Sequence, residues 1–155
     1  MSFASEIINA TAAIIEGLTP VTDPDVSYEW LDVLTAMQAE DDPQGHRSFT
    51  VTWSEGFVIE PFTGQFQRMV VTRGLDISIV YRIEGRSPRE LEPQITEDGD
   101  QIAWALINPT NKPTLTGMQF IQYSRELNIS VQPSDSGASL IMTITVPVQY
   151  RSTKY

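Results

Sequence analysis

Few residue types able to do covalent or proton-transfer chemistry occur in the 155 residues: there is one histidine, His46, and no cysteine. Without cysteine there are no disulfides, thiolate zinc sites, iron–sulfur clusters or thiol nucleophiles. A Ser-His-Asp relay would have to run through His46, yet no Gly-x-Ser-x-Gly turn is present to raise a serine. His46 follows Gly45 in a polar break and reads as an exposed loop residue. Neither phosphate-cradling pattern, Gly-x-Gly-x-x-Gly or Gly-x-x-x-x-Gly-Lys, occurs. Glu97, Asp98 and Asp100 form the densest acidic cluster near a helical pattern. Their spacing lacks the Asp-x-Asp-x-Asp-Gly run and distant bidentate Glu of a calcium loop, and a helix N-terminus attracts carboxylates in any case. Asp98 is therefore expected to cap a helix, with Gln101 three residues later completing a capping box. Nothing supports a facing pair of glycosidase carboxylates. No catalytic, cofactor-binding or metal-ligating residue is assigned, and the protein is not expected to be an enzyme.

Charge is the stronger signal. Twenty acids face ten bases, for a net charge of -10, and residues 1–46 hold nine acids with no Lys or Arg before Arg47. Glu40, Asp41 and Asp42 are the densest part of that acidic third. Such a surface repels nucleic-acid phosphates and anionic membranes and attracts basic protein surfaces; a solvated face that keeps the chain soluble is the plainer alternative. Arg68, Arg73, Arg82, Arg86 and Arg89 form a local basic enrichment, interleaved with Glu84, Glu90 and Glu92. That pattern does not match a nucleic-acid-binding module and suits either solvent or an acidic neighbouring protein.

The elements that must position these groups follow from periodicity. Hydrophobic content of 41% against 19% charged suits one domain over 1–155, able to bury about 68–70% of its unfolded surface. No apolar run reaches the ~18–20 residues of a membrane span, and no basic segment precedes the first apolar residues, so a soluble, non-exported protein is expected. Within an acidic helical and loop region, 1–46, Ile7, Thr11, Ile14 and Leu18 recur at helical spacing. Ser2 or Ser5 is a candidate cap, with Gly17 and Pro20 as the stop. Asp23-Pro24-Asp25 reads as a turn, and Tyr28 to Ala39 fits a short helix or an irregular packed stretch.

From Arg47 the period becomes two. Phe49, Val51 and Trp53, then Leu75, Ile77, Ile79, Tyr81 and Ile83, mark a long hairpin over 47–83 with an extended arm at 54–68. A plain 15-residue loop is the alternative to the arm. Within it, Phe57, Val58, Ile59, Phe62 and Phe66 are more apolar than a solvent loop; they either fold back on the chain's own sheet or, with Arg68 and Arg73, are candidate interface residues. Residues 84–94 read as a loop and 96–108 as a helix. A C-terminal hairpin over 117–151 pairs Leu127, Ile129 and Val131 with a strand from Leu140 to Tyr150, turning at Pro133 to Gly137. Pro147 lacks an amide donor, which predicts an edge strand or a bulge there. The fold class is α+β: a mostly antiparallel four-stranded sheet of two hairpins, with an N-terminal and a middle helix packed on one face.

This order resembles the tail terminator (tail-completion, head–tail joining) proteins of long-tailed bacteriophages. The matching features are the amphipathic helix Ser5 to Glu16, the strand Phe49-Thr50-Val51 and the long strand Leu75 to Tyr81. The helix start Glu97-Asp98-Gly99-Asp100-Gln101-Ile102 and a closing strand ending Val-Gln-Tyr-Arg complete the pattern. The resemblance implies a virion protein of the tail and neck, assembled in the host cytoplasm. It implies a homohexameric ring that caps the tail tube, ends its polymerisation and offers a docking face to a head-completion or neck protein. DNA would pass through without specific binding, past acids such as Glu40, Asp41 and Asp42 if these line the channel. A neck connector on the portal side and a non-viral acidic binding module are the alternatives.

Overall fold

A computed structural model of the chain describes residues 3–31, 45–62, 65–108, 121–124, 126–135 and 137–153. The first apolar stripe forms helix α1 (Phe3–Glu16), which buries Ile7, Thr11, Ala12 and Ile15. Its end lies where Gly17 and Pro20 predict: the Gly17 amide still donates to Ala13 O at 3.1 Å, and Pro20 has no amide to continue the ladder. Ser5 lies inside the helix, so it is not the cap. A two-residue strand, β1 (Glu29–Trp30), then pairs in parallel with the start of β2 (Ser48–Phe62). Residues 32–39, the rest of the ambiguous stretch, lie outside the described residues.

β2 and β3 (Gln65–Arg82) form an antiparallel hairpin, strand-like through the whole span from 48 to 62. The next element departs from expectation. Helix α2 (Pro88–Ile107) begins eight residues before the expected start at 96 and covers most of the anticipated loop. Its cap is Ser87, whose hydroxyl accepts the Glu90 amide at 3.3 Å while the Glu90 carboxylate accepts the Ser87 amide at 3.4 Å. Pro88 in the first turn loses no helical bond, because that amide has no partner in any helix. Pro93 sits in the second turn, so both prolines that read as a loop lie within the helix. Asp98 is therefore mid-helix and caps nothing.

The chain closes with β4 (Ile121–Tyr123), β5 (Asn128–Pro133) and β6 (Ser139–Thr153). The fold is α+β: two helices and a mixed, mostly antiparallel, curled sheet of six strands in the order β1-β2-β3-β6-β4, with β5 also on β6. β6 pairs along its whole length with residues 68–82 of β3, so β4 and β5 share the opposite flank of β6. The difference from four strands has two causes. β1 is an added edge, and the expected first strand of the C-terminal hairpin is broken into β4 and β5.

That break has a chemical reason. Pro147 faces it: its carbonyl accepts the Ser124 amide at 2.8 Å, and it has no amide to return to this flank. The strand β6 is interior, not at an edge, and the irregularity expected at Pro147 falls on its partner. Across the sheet, Pro147 pairs with Gly74, and opposite Gly74 the register of β2 jumps between Trp53 and Phe57. A Cβ at Gly74 would stand 2.8 Å from Ser54 Oγ and 3.2 Å from Ser54 Cβ, so glycine lets the bulge cross closely. Bulge, glycine, proline and broken strand form one crease over the sheet.

Most of the core lies on the near side of the crease, and Val71, Tyr123, Val148 and Tyr150 carry it a little beyond. Pairing sets Val51, Ile77 and Ile144 in one row, all buried, and continues to Ile129 of β5, which is 46% exposed. Each buried member contributes about 1.5–3 kcal/mol relative to exposure. α1 lies against β2 and α2 against β6, and the two helices touch. Gly99 brings α2 down: a Cβ there would meet Met142 Sδ at 3.1 Å and Ile129 Cδ1 at 3.4 Å.

The crease makes a stability prediction. Gly74→Ala is expected to cost about 1 kcal/mol in urea denaturation, through overpacking against Ser54. Ser54→Gly in the same chain should make the pair cost less than the sum of the two single changes.

Candidate functional site

The most elaborate polar constellation begins with a matter of parity. Phe49 and Val51 face the core, and Arg47, two residues upstream on the same side, is fully buried. Its backbone is unusual, with φ at 62°, the left-handed region that few non-glycine residues adopt. The Arg47 amide donates to Val80 O at 2.7 Å and its carbonyl accepts the Glu29 amide at 3.1 Å, so both β1 and β3 hold this residue.

Asp98 meets it from α2. Leu91, Ile95, Ile102 and Leu106 form the buried stripe of that helix, and Asp98 stands in the middle of it, fully buried. Arg47 Nε donates to Asp98 Oδ2 at 2.8 Å and Nη2 to Oδ1 at 3.1 Å. The remaining guanidinium hydrogens go to main-chain carbonyls of the preceding loop: Nη1 to Asp23 O at 2.6 Å and Val26 O at 2.9 Å, and Nη2 to Thr22 O. All five donors are used. Tyr81 of β3 adds its hydroxyl to Asp98 Oδ2 at 2.8 Å, and the Tyr28 ring lies 5.7 Å from the guanidinium. Burial, and after it the Asp98 carboxylate, push the phenols of Tyr81 and Tyr28 far above the usual tyrosine range, so both stay protonated donors. Tyr28 donates to Gln101 Oε1 at 3.1 Å, and Gln101 Nε2 donates to Thr19 O at 2.7 Å.

His46 extends the same network and is not the exposed loop residue its neighbours suggest. Its Nδ1 accepts the Arg82 amide at 3.1 Å, which leaves the hydrogen on Nε2 to donate to Gln94 Oε1 at 2.8 Å. The ring stands edge-on to Tyr81, 5.6 Å between centroids. Burial holds the imidazole below its ordinary pKa. With every Arg47 donor engaged and both ion-pair partners shut from solvent, this constellation fastens β2, β3, α2 and the loop 19–28 together. Its chemistry is attachment.

The acidic cluster thus separates into three environments: Asp98 buried in the ion pair, Glu97 accepting the Thr22 hydroxyl, and Asp100 exposed. Among the described residues no group of three or more His, Asp or Glu side chains is placed to hold a metal ion. Phe57, Val58, Ile59 and Phe62 lie on β2 and Phe66 and Arg68 on β3, beyond the crease, and their side chains fall outside the described part of the chain. Arg73 lies at the root of this arm, its guanidinium 4.5 Å above the Trp53 ring. Glu40, Asp41 and Asp42 lie outside the described residues. Elsewhere in the acidic third, Glu16, Asp23, Asp25 and Glu29 are exposed.

One surface went unnoticed at the level of sequence. A shallow groove runs between α2 and the β5 flank, lined by Thr96, Glu97, Asp100 and Ala103 on one side and Leu127 and Ile129 on the other. Trp104, 69% exposed, follows Glu97 and Asp100 on the same helical stripe, and Val131 is 45% exposed. The available signal was the mismatch of Trp104 with the buried stripe of its helix.

Removing Asp98 strands a buried guanidinium, so Asp98→Ala should cost about 3–5 kcal/mol in denaturant unfolding. Tyr81→Phe, which removes one bond to a charged acceptor, should cost about 1.5–3 kcal/mol. His46 has a pH signature. Its folded pKa lies below the unfolded value near 6.5, so the unfolded chain binds the proton first as pH falls. Thermal stability should therefore decline as pH drops below about 6.5 and on through the lower folded value, and His46→Gln should flatten that part of the profile. Compared with known proteins, the chain matches no family model and no curated protein.

Proposed function

We propose that this protein is a phage tail terminator subunit: it assembles into a hexameric ring on the last ring of a tail tube, ends tube growth and presents a face to a head-completion or neck protein. It acts in the virion neck by shape and charge, without bond-making chemistry. The observation that carries this reading is a single curled sheet with two flanks that no further described strand covers. On one flank, β2 from 57 to 62 pairs only β3 among the described residues; on the other, β5 pairs only β6. Different edges on opposite flanks favour heterologous contacts, which close into rings when the rotation permits. The net charge of -10 and the exposed Glu16, Asp23, Asp25 and Glu29 suit a collar that repels the DNA moving through it. The resemblance in element order supplies the tail as the setting.

Negative-stain microscopy of the purified protein, with light-scattering mass, tests this. Rings of six and arrest of tail-tube polymerisation on addition are the expected results. A chain that stays single at all concentrations and leaves tube growth unchanged overturns the reading.

A further inference from the structure

We infer that the groove between α2 and β5 receives the β2–β3 arm of a second copy of this chain, the arm's outer strand adding to the open edge of β5. The inference rests on the reading of the protein as a self-assembling ring subunit and names the surfaces that meet.

Three observations carry it. No other described segment covers the groove: Ala103, Ile107, Leu127 and Ile129 give it an apolar part, Trp104 and Val131 stand exposed beside it, and six consecutive β5 residues are all exposed. Its rim is acidic, with Glu97 and Asp100 contributed by α2. The arm is largely apolar, with Phe57, Val58, Ile59, Phe62 and Phe66, and beyond its root it carries one base, Arg68 on β3, and one acid, Glu60 on β2.

Backbone geometry agrees. β5 spans Asn128–Pro133, and the β2 stretch beyond the crease, 57–62, has the same number of residues, about 20 Å of strand in each case. Each edge carries amides and carbonyls that no described strand takes up. An added strand takes up the free groups of both rows, save at Pro61 and Pro133, which have no amide to donate, and the groove beside β5 supplies the area that main-chain bonds alone do not. The two edges are different surfaces on opposite flanks, so the contact repeats head to tail and leaves no copy of either edge open in a closed ring.

The absence of native cysteine makes the test direct. Chains carrying Ser130→Cys are mixed with differently tagged chains carrying Val58→Cys or Glu60→Cys, oxidised, and read on a non-reducing gel. In parallel, Trp104→Asp places a further acid on the rim, and its assembly is measured by light scattering, with melting temperature as the control for folding. Expected are cross-links between position 130 and position 58 or 60, and at least a tenfold loss of assembled material for Trp104→Asp at unchanged melting temperature. If the wild-type protein forms rings but cross-links only 130 to 130, or none, or if Trp104→Asp assembles normally, this inference is overturned and the ring reading stands. If the wild-type protein forms no rings and does not arrest tube growth, both fall.

Discussion

The rest of the structure depends on one buried charge pair. Arg47 and Asp98 are both fully shielded from water, and an ion pair in that position holds only if every remaining donor and acceptor finds a partner. Here each does. The guanidinium spends two hydrogens on the carboxylate and three on carbonyls of the loop 19–28, and Tyr81 adds a third bond to the carboxylate. Four segments distant in sequence meet at this point. Apolar burial alone would hold the sheet and helices together, but it would not select which residues of the loop lie against β2. The directional bonds do so.

A second constraint divides the sheet. The bulge in β2, Gly74, Pro147 and the gap between β4 and β5 line up across four strands. On one side the strands are covered by α1 and α2; on the other they continue as an arm, with Trp53 beneath Arg73 and 6.0 Å from Tyr150 at its root. The division is graded: just beyond the crease Val71, Tyr123, Val148 and Tyr150 are still buried, and the Tyr123 hydroxyl shares a 2.8 Å hydrogen bond with Thr11 of α1.

Much of this was legible in the residues. Period-two alternation located the long strands, and the stripe with its Gly17 stop located α1. Composition read the prolines wrongly: Pro88 and Pro93 suggested a loop, whereas Ser87 and Glu90 form the capping box that starts α2. The acidity of Asp98 suggests a cap, but its phase with Leu91, Ile95, Ile102 and Leu106 places it on the buried stripe. Arg47 was likewise readable by parity with Phe49 and Val51. The pairing of the two was not, because it depends on which helix crosses which strand. Nor was the interior place of β6, since Pro147 disrupts the partner strand and not its own.

The way Arg47 grips the loop has an evolutionary corollary. It binds Thr22, Asp23 and Val26 through main-chain oxygens, which every amino acid carries. Outward-facing positions there, such as Val21 at 69% exposure and Asp25, are thus freed from maintaining the path of the backbone. Drift or selection can rewrite that patch to suit a new neighbour while its scaffold keeps the same contour.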